Sequence, residues 1–114
     1  ICSLSRYAGS SRGRILDGGS RNWLHGHWNG NAGVAHYSSW VTSSSGTLSP
    51  NTNWLAMCAT NGGGSGGGHF KGKIVNGVDR GTSAGGVGST TLHVNSGMYS
   101  SEVSPSLGPD PRPL

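Results

Sequence analysis

RNWLHGHWNGNAGVAHYSSW, Arg21 to Trp40, is the stretch on which the reading of the fold turns, and it holds three of the four tryptophans and three of the five histidines. Asn29-Gly30-Asn31-Ala32 separates two runs of aromatic, branched and small residues, and Asn-Gly favours the positive φ angles of a tight turn. The stretch is therefore expected to form a β-hairpin. A turn at Gly30-Asn31 sets Trp28 opposite Gly33, His27 opposite Val34 and His25 opposite His36. A turn at Asn29-Gly30 slides each pairing by two residues and keeps the faces. Strand alternation then groups Trp23, His25 and His27 with Val34, His36 and Ser38, and Leu24, Gly26 and Trp28 with Ala35 and Tyr37. The second group is the more apolar and is assigned to the core. The first becomes an exposed or half-exposed surface carrying a tryptophan and three imidazoles.

Outward from the hairpin, the flanking segments read as short strands joined by turns. Ile1 to Tyr7 alternates, with Cys2 and Leu4 expected to point inward. Arg14-Ile15-Leu16 is a short strand ended by Asp17-Gly18-Gly19, and Trp40-Val41-Thr42 finishes a strand before a polar loop. Trp54 to Thr60, WLAMCAT, is the most apolar run and is expected to be a central strand. Asn61 to Gly68, NGGGSGGG, reads as a mobile hairpin tip, because glycine loses more backbone entropy on ordering than any other residue. His69 to Val75 and Val78 to Thr82 flank Asn76-Gly77, a second hairpin signal. Thr90 to Asn95 alternates as a further strand. Ser104 to Leu114, SPSLGPDPRPL, is too rich in proline for a central strand and reads as an extended tail. The expected organisation is one β-sandwich domain over residues 1–103 and a Pro-rich tail over 104–114. Seven or eight strands with no helical crossover point to an all-β fold, an antiparallel β-sandwich or jelly roll.

Composition agrees. A chain of 114 residues with 22 glycines supports one small domain, and no apolar run has helical spacing over three turns. Lys and Arg exceed Asp and Glu by 8 to 4, which suits an acidic partner, but the basic residues are scattered and no nucleic-acid motif is present. No nucleic-acid partner is expected. No stretch approaches the roughly 18 apolar residues of a membrane span.

The order of a strand with Cys2, the short RIL strand, the NWLHGHW/GVAHY hairpin, the NWLAMC strand with Cys58 and the KIVNGVDRG hairpin resembles the laminin G, pentraxin and concanavalin A-like group of β-sandwich domains. The matching motif is Trp54 and Cys58 in the form W-x-x-x-C, leading to the Val75-Asn76-Gly77 turn. The resemblance covers about Ile1 to Asn95. On the residues alone, Cys2 and Cys58 are either two free buried thiols or a bridge. The resemblance implies a disulfide joining neighbouring strands, and with it a secreted or cell-surface location. The chain departs from the group in lacking its opening and closing strands. Self-association with neighbouring subunits by strand addition at an open sheet edge is accordingly expected, unless flanking sequence of the same polypeptide supplies those strands.

Several chemistries compete for the hairpin. His25, His27 and His36, on one face at strand spacing, are of a type to ligate zinc or copper, but no fourth ligand and no orienting carboxylate accompanies them. No metal or other cofactor is expected. Asp17, Asp79, Glu102 and Asp110 are not placed as a glycosidase pair, no serine-nucleophile elbow occurs, and the glycine run lacks the Lys and Ser or Thr of a phosphate loop. No enzymatic activity is expected. The leading reading is a non-catalytic extracellular structural or adhesive module, as in a surface fibre or matrix. The alternative is a carbohydrate-binding module in which Trp23, Trp40 and Tyr37 stack on sugar rings while Asn22, Asn29, Asn31, His25, His27 and His36 hydrogen-bond hydroxyls. Against it, tryptophans in sandwiches mostly anchor the core.

Overall fold

A computed structural model describes residues 1–19, 21–60, 73–80 and 91–95. The glycine run and the Pro-rich tail lie outside them. The described residues form eight strands, β1 (Cys2–Ser5), β2 (Leu16–Gly18), β3 (Trp23–Trp28), β4 (Asn31–Tyr37), β5 (Leu55–Ala59), β6 (Lys73–Val75), β7 (Val78–Asp79) and β8 (Leu92–Val94). Among the described residues there is no helix, and none long and apolar enough to cross a membrane. The strands form two antiparallel four-stranded sheets, ordered β1-β5-β6-β7 and β4-β3-β2-β8. Trp23, Ala35 and Tyr37 from the second sheet pack against Leu55, Met57, Ala59 and Val75 from the first, with Val41 beside them. The protein is an all-β structure whose two sheets share one apolar interior, as the composition led one to expect.

Both Asn-Gly pairs act as the local chemistry requires. Asn29 and Gly30 have φ of 45° and 79°, and Asn76 and Gly77 have 47° and 79°, the paired positive angles of a two-residue hairpin turn. The first hairpin therefore turns at Asn29-Gly30, with Trp28 opposite Asn31 and His27 opposite Ala32.

Beyond those two pairs the faces depart from the expectation. The register shifts between Gly26 and His27, so that Gly26 pairs with Val34, His25 with Ala35, Leu24 with His36 and Trp23 with Tyr37. Gly33 is the extra residue, at φ 84°. One inserted residue exchanges the two faces of a strand. Ala35 and Tyr37 thus join Trp23, His25 and His27 inside, and His36 joins Leu24 and Trp28 outside. The face assigned to solvent from alternation alone is the core face, and Trp23, His25 and His27 are buried.

A side chain at Gly33 has no room. A Cβ there would collide with the Thr47 hydroxyl and come within 3.3 Å of Val75 Cγ1, besides carrying an L-residue at positive φ, which costs roughly 1–2 kcal/mol. Gly33→Ala is expected to lower unfolding stability by about 2 kcal/mol or more, read from the urea midpoint. An unchanged midpoint would mean that the bulge is not built as described.

The first strand also faces the opposite way from its expected orientation. Ser3 pairs with Met57 and Ser5 with Leu55, and Leu55 and Met57 are core residues, so the serines point inward. Cys2 and Leu4 point outward, and Leu4 is 68% exposed. The well-filled interior row of β5 dictates the orientation of its neighbour, whatever the neighbour's own hydrophobicity. Cys2 and Cys58, directly opposite with Cα atoms 4.1 Å apart, are joined by a disulfide on that outer face.

The free edge of β4 is covered by the chain that follows it. Thr47 and Leu48 donate their N–H groups to Ala32 O at 2.8 and 3.2 Å, and Val41 N donates to Ala35 O at 3.1 Å. Ala35 N donates in turn to Thr42 Oγ1 at 2.9 Å. At the margin of the other sheet, β1 has no second neighbour among the described residues.

Candidate functional site

Of the imidazoles expected to share a surface, His25 and His27 are structural. His25 Nε2 lies 3.3 Å from Met57 O. A carbonyl oxygen only accepts, so Nε2 carries the hydrogen, and Nδ1 accepts from the Tyr37 hydroxyl at 2.7 Å. His25 thereby ties β3 and β4 to β5 across the interior. His27 sets its ring edge-on to Tyr7, centroids 4.6 Å apart, and places Nδ1 3.4 Å from Ser5 Oγ on β1. Burial pushes the pKa of each down from 6.5 to about 4, helped in His27 by the proximity of His25 and opposed in His25 by its bond to Met57. Burial also pushes the Tyr37 hydroxyl upward. These groups stay neutral and serve the core.

The outer face of the hairpin sheet is where polar and aromatic groups meet solvent together. Arg14, Asn22, Leu24, Trp28, His36 and Trp40 surround a hollow of about 250 Å³. Leu24, 1% exposed, contributes its apolar part. Trp28 comes off the end of β3. Trp40 is brought back over β4 by the turn that follows Tyr37, in which Ser38 takes φ 61°, Tyr37 N donates to Ser39 O and Ser38 N donates to Asn22 O. A lone bridge between His36 and Trp40 closes that turn. The two indoles stand edge-to-face at 5.3 Å and 66°, and His36 stands edge-to-face to Trp40 at 4.9 Å. The result is an aromatic corner, with Trp40 still 37% exposed.

A chain of hydrogen bonds stiffens the polar side of the hollow. Asp17, fully buried, accepts from Gly18 N at 2.9 Å and from Arg14 Nη1 at 3.1 Å. Arg14 Nη2 donates to Asn22 Oδ1 at 2.9 Å. Asn22 O lies 2.9 Å from His36 Nδ1. One buried carboxylate thus fixes a guanidinium, the guanidinium fixes an amide, and the amide's own backbone fixes an imidazole.

The residues singled out from sequence divide between these places. His36 and Trp40 line the hollow, as does Asn22. Trp23 and Tyr37 stack on each other in the core at 5.0 Å. Asn29 is a turn residue, and Asn31 accepts from Gly46 N at 3.0 Å and donates to Asn29 O, holding the loop against the hairpin. His25 and His27 face inward while His36 faces outward, so the three imidazoles do not converge. No group of three potential metal ligands occurs among the described residues. Leu24, Trp28 and Arg14 are the members that sequence reading missed. Alternation alone places Leu24 and Trp28 with the core, because it sets Ala35 and Tyr37 on their face. For Arg14 the available signal was its spacing of three from Asp17, the only carboxylate near the hairpin. No family model, curated protein or solved structure matches this chain.

Proposed function

We propose that this protein is a non-catalytic carbohydrate-binding module of an extracellular protein, with the Trp28–Trp40 corner as its sugar site. The observation that carries this reading is the hollow itself: two indoles at an angle, apolar Leu24 and the side chains of Asn22 and His36 gathered on a rigid sheet face. Sugar rings present apolar C–H faces and a rim of hydroxyls. A site for them needs a flat ring to stack on and a few fixed hydrogen-bonding groups. The exterior disulfide supports an oxidising, extracellular setting. The two antiparallel sheets are compatible with the laminin G and concanavalin A-like reading, which stays part of the proposal.

Trp40→Ala is expected to weaken binding of a glycan ligand by roughly 10–100-fold, the value of burying one large ring. Trp54→Ala, which alters an exposed indole on the other sheet beneath Arg6, is expected to leave it unchanged. Isothermal titration of both variants tests this; equal loss in both, or none in either, would contradict the site.

The structural or adhesive reading keeps one specific support. The side of β1 that has no partner among the described residues adjoins an outer face where Leu4, Trp54 and the disulfide are exposed or half-exposed, and an open edge beside apolar surface favours added strands. Concentration-dependent association that is abolished by Leu4→Lys would carry that reading.

A further inference from the structure

Resting on the sugar-site reading, we infer that the hollow selects neutral sugars with adjacent hydroxyls over uronic-acid or sulfated ones. The selection follows from the fixed polarity of Asn22 and His36. A guanidinium can only donate, so the Asn22 atom 2.9 Å from Arg14 Nη2 is the carbonyl oxygen, and the amide group left over, Nδ2, is a donor. A backbone carbonyl can only accept, so His36 Nδ1, 2.9 Å from Asn22 O, carries the ring hydrogen, and Nε2 of the neutral ring is a bare acceptor. Neither Asn22 Nδ2 nor His36 Nε2 has a hydrogen-bond partner among the described residues. Both residues line the same hollow.

One donor and one acceptor suit a pair of neighbouring hydroxyls. One hydroxyl accepts from Asn22 and the other donates to His36, and each keeps a free function for water. A carboxylate or sulfate has acceptors only. It would satisfy Asn22 and set a lone pair against His36 Nε2, leaving a desolvated acceptor unpaired. The cation at the site does not offset this, because Arg14 is 6% exposed and already paired with Asp17 at 3.1 Å. The net charge of +4 is thus expected to govern long-range attraction and not the choice made in the hollow. Asp17 acts as a positioning residue, since its hold on Arg14 determines which end of the Asn22 amide meets the ligand.

The test is a glycan array in mildly alkaline buffer that pairs neutral oligosaccharides with uronate and sulfated forms of the same backbone. It is read for wild type and for His36→Lys, which replaces the acceptor with a donor, and for Asn22→Asp, which keeps the bond to Arg14 and deletes the donor. Thermal melting checks that each variant folds. Wild type is expected to favour neutral glycans by at least about tenfold, the worth of one unmade hydrogen bond. His36→Lys should erase that preference, and Asn22→Asp should weaken neutral binding by about tenfold. Wild-type binding to anionic glycans as strong as to neutral ones overturns the inference and leaves the sugar site standing. A folded His36→Lys with unchanged preference also overturns it. Absence of any glycan signal from wild type removes the sugar site itself, and this selectivity with it. The wild-type ratio decides the question even if neither variant folds.

Discussion

Acidification from pH 6.5 towards pH 4 is expected to strip several kcal/mol from the stability of the fold, because His25 and His27 are buried neutral. Their folded pKa values are pushed from 6.5 to about 4, first of all by burial. The unfolded chain therefore binds more protons across this window, and stability falls as pH falls. The stabilisation is intact above about pH 6.5, and its loss levels off once both states are protonated below about pH 4. Each histidine accounts for up to about 3 kcal/mol at 1.36 kcal/mol per pKa unit. The two do not add simply, since protonating His25 disfavours protonating His27. A geometric cost reinforces the electrostatic one: a protonated Nδ1 would face the hydrogen that Tyr37 now donates, and Tyr37 is fully buried. Urea denaturation at about pH 7 and about pH 4.5 measures the loss, and His25→Gln should flatten the dependence. Equal stability at both pH values would show that these rings are not held neutral.

Loss of the disulfide is the second large effect. Cys2 and Cys58 close a loop with a sequence separation of 56, and opening a loop of that size returns denatured-state entropy worth about 4 kcal/mol. For a domain of this size that is a large fraction of total stability. The double variant Cys2→Ser/Cys58→Ser is expected to melt at least about 10 °C lower. Both sulfurs lie on the outer face, so the change leaves the packed interior of Leu55, Met57 and Trp23 untouched. The loss should therefore appear as lower stability with glycan affinity preserved wherever the protein is folded, because the hollow lies on the other sheet. Unchanged melting would mean that the bridge adds nothing to the fold.

How much of this was legible in the sequence depended on how local the deciding physics is. The turn at Asn76-Gly77 was readable because two residues suffice to set its angles, and so was a turn within Asn29 to Ala32, although Gly30-Asn31 and Asn29-Gly30 both stayed open there and the structure takes the second. The strand at WLAMCAT was readable because its apolar run is continuous. The pairing of Cys2 with Cys58 came through resemblance, and the structure places the two side by side. The faces of the hairpin were not readable from alternation, since Gly33 inserts a residue and exchanges the sides of β4. A glycine inside a strand pattern is the one sign of such a bulge. The orientation of β1 was not readable either, because β5 determines it from across the ladder. The candidate site inherited the error. Trp40, His36 and Asn22 were among the ligand candidates, but Trp28 was assigned inward, and Trp23 and His25 took its place. Arg14 belongs to the site through its contacts with Asp17 and Asn22; its spacing of three from Asp17 is visible along the chain, but the link to Asn22 exists only in three dimensions.

The central claim is that the outer aromatic corner takes the ligand, and the four tryptophan indole N–H signals in a ¹H–¹⁵N spectrum report on it directly. Titrating in a neutral oligosaccharide is expected to shift the indoles of Trp28 and Trp40 together, with Trp23 in the core and Trp54 on the opposite sheet unmoved. Saturable shifts at Trp54, with Trp28 and Trp40 fixed, would place binding elsewhere and contradict the site.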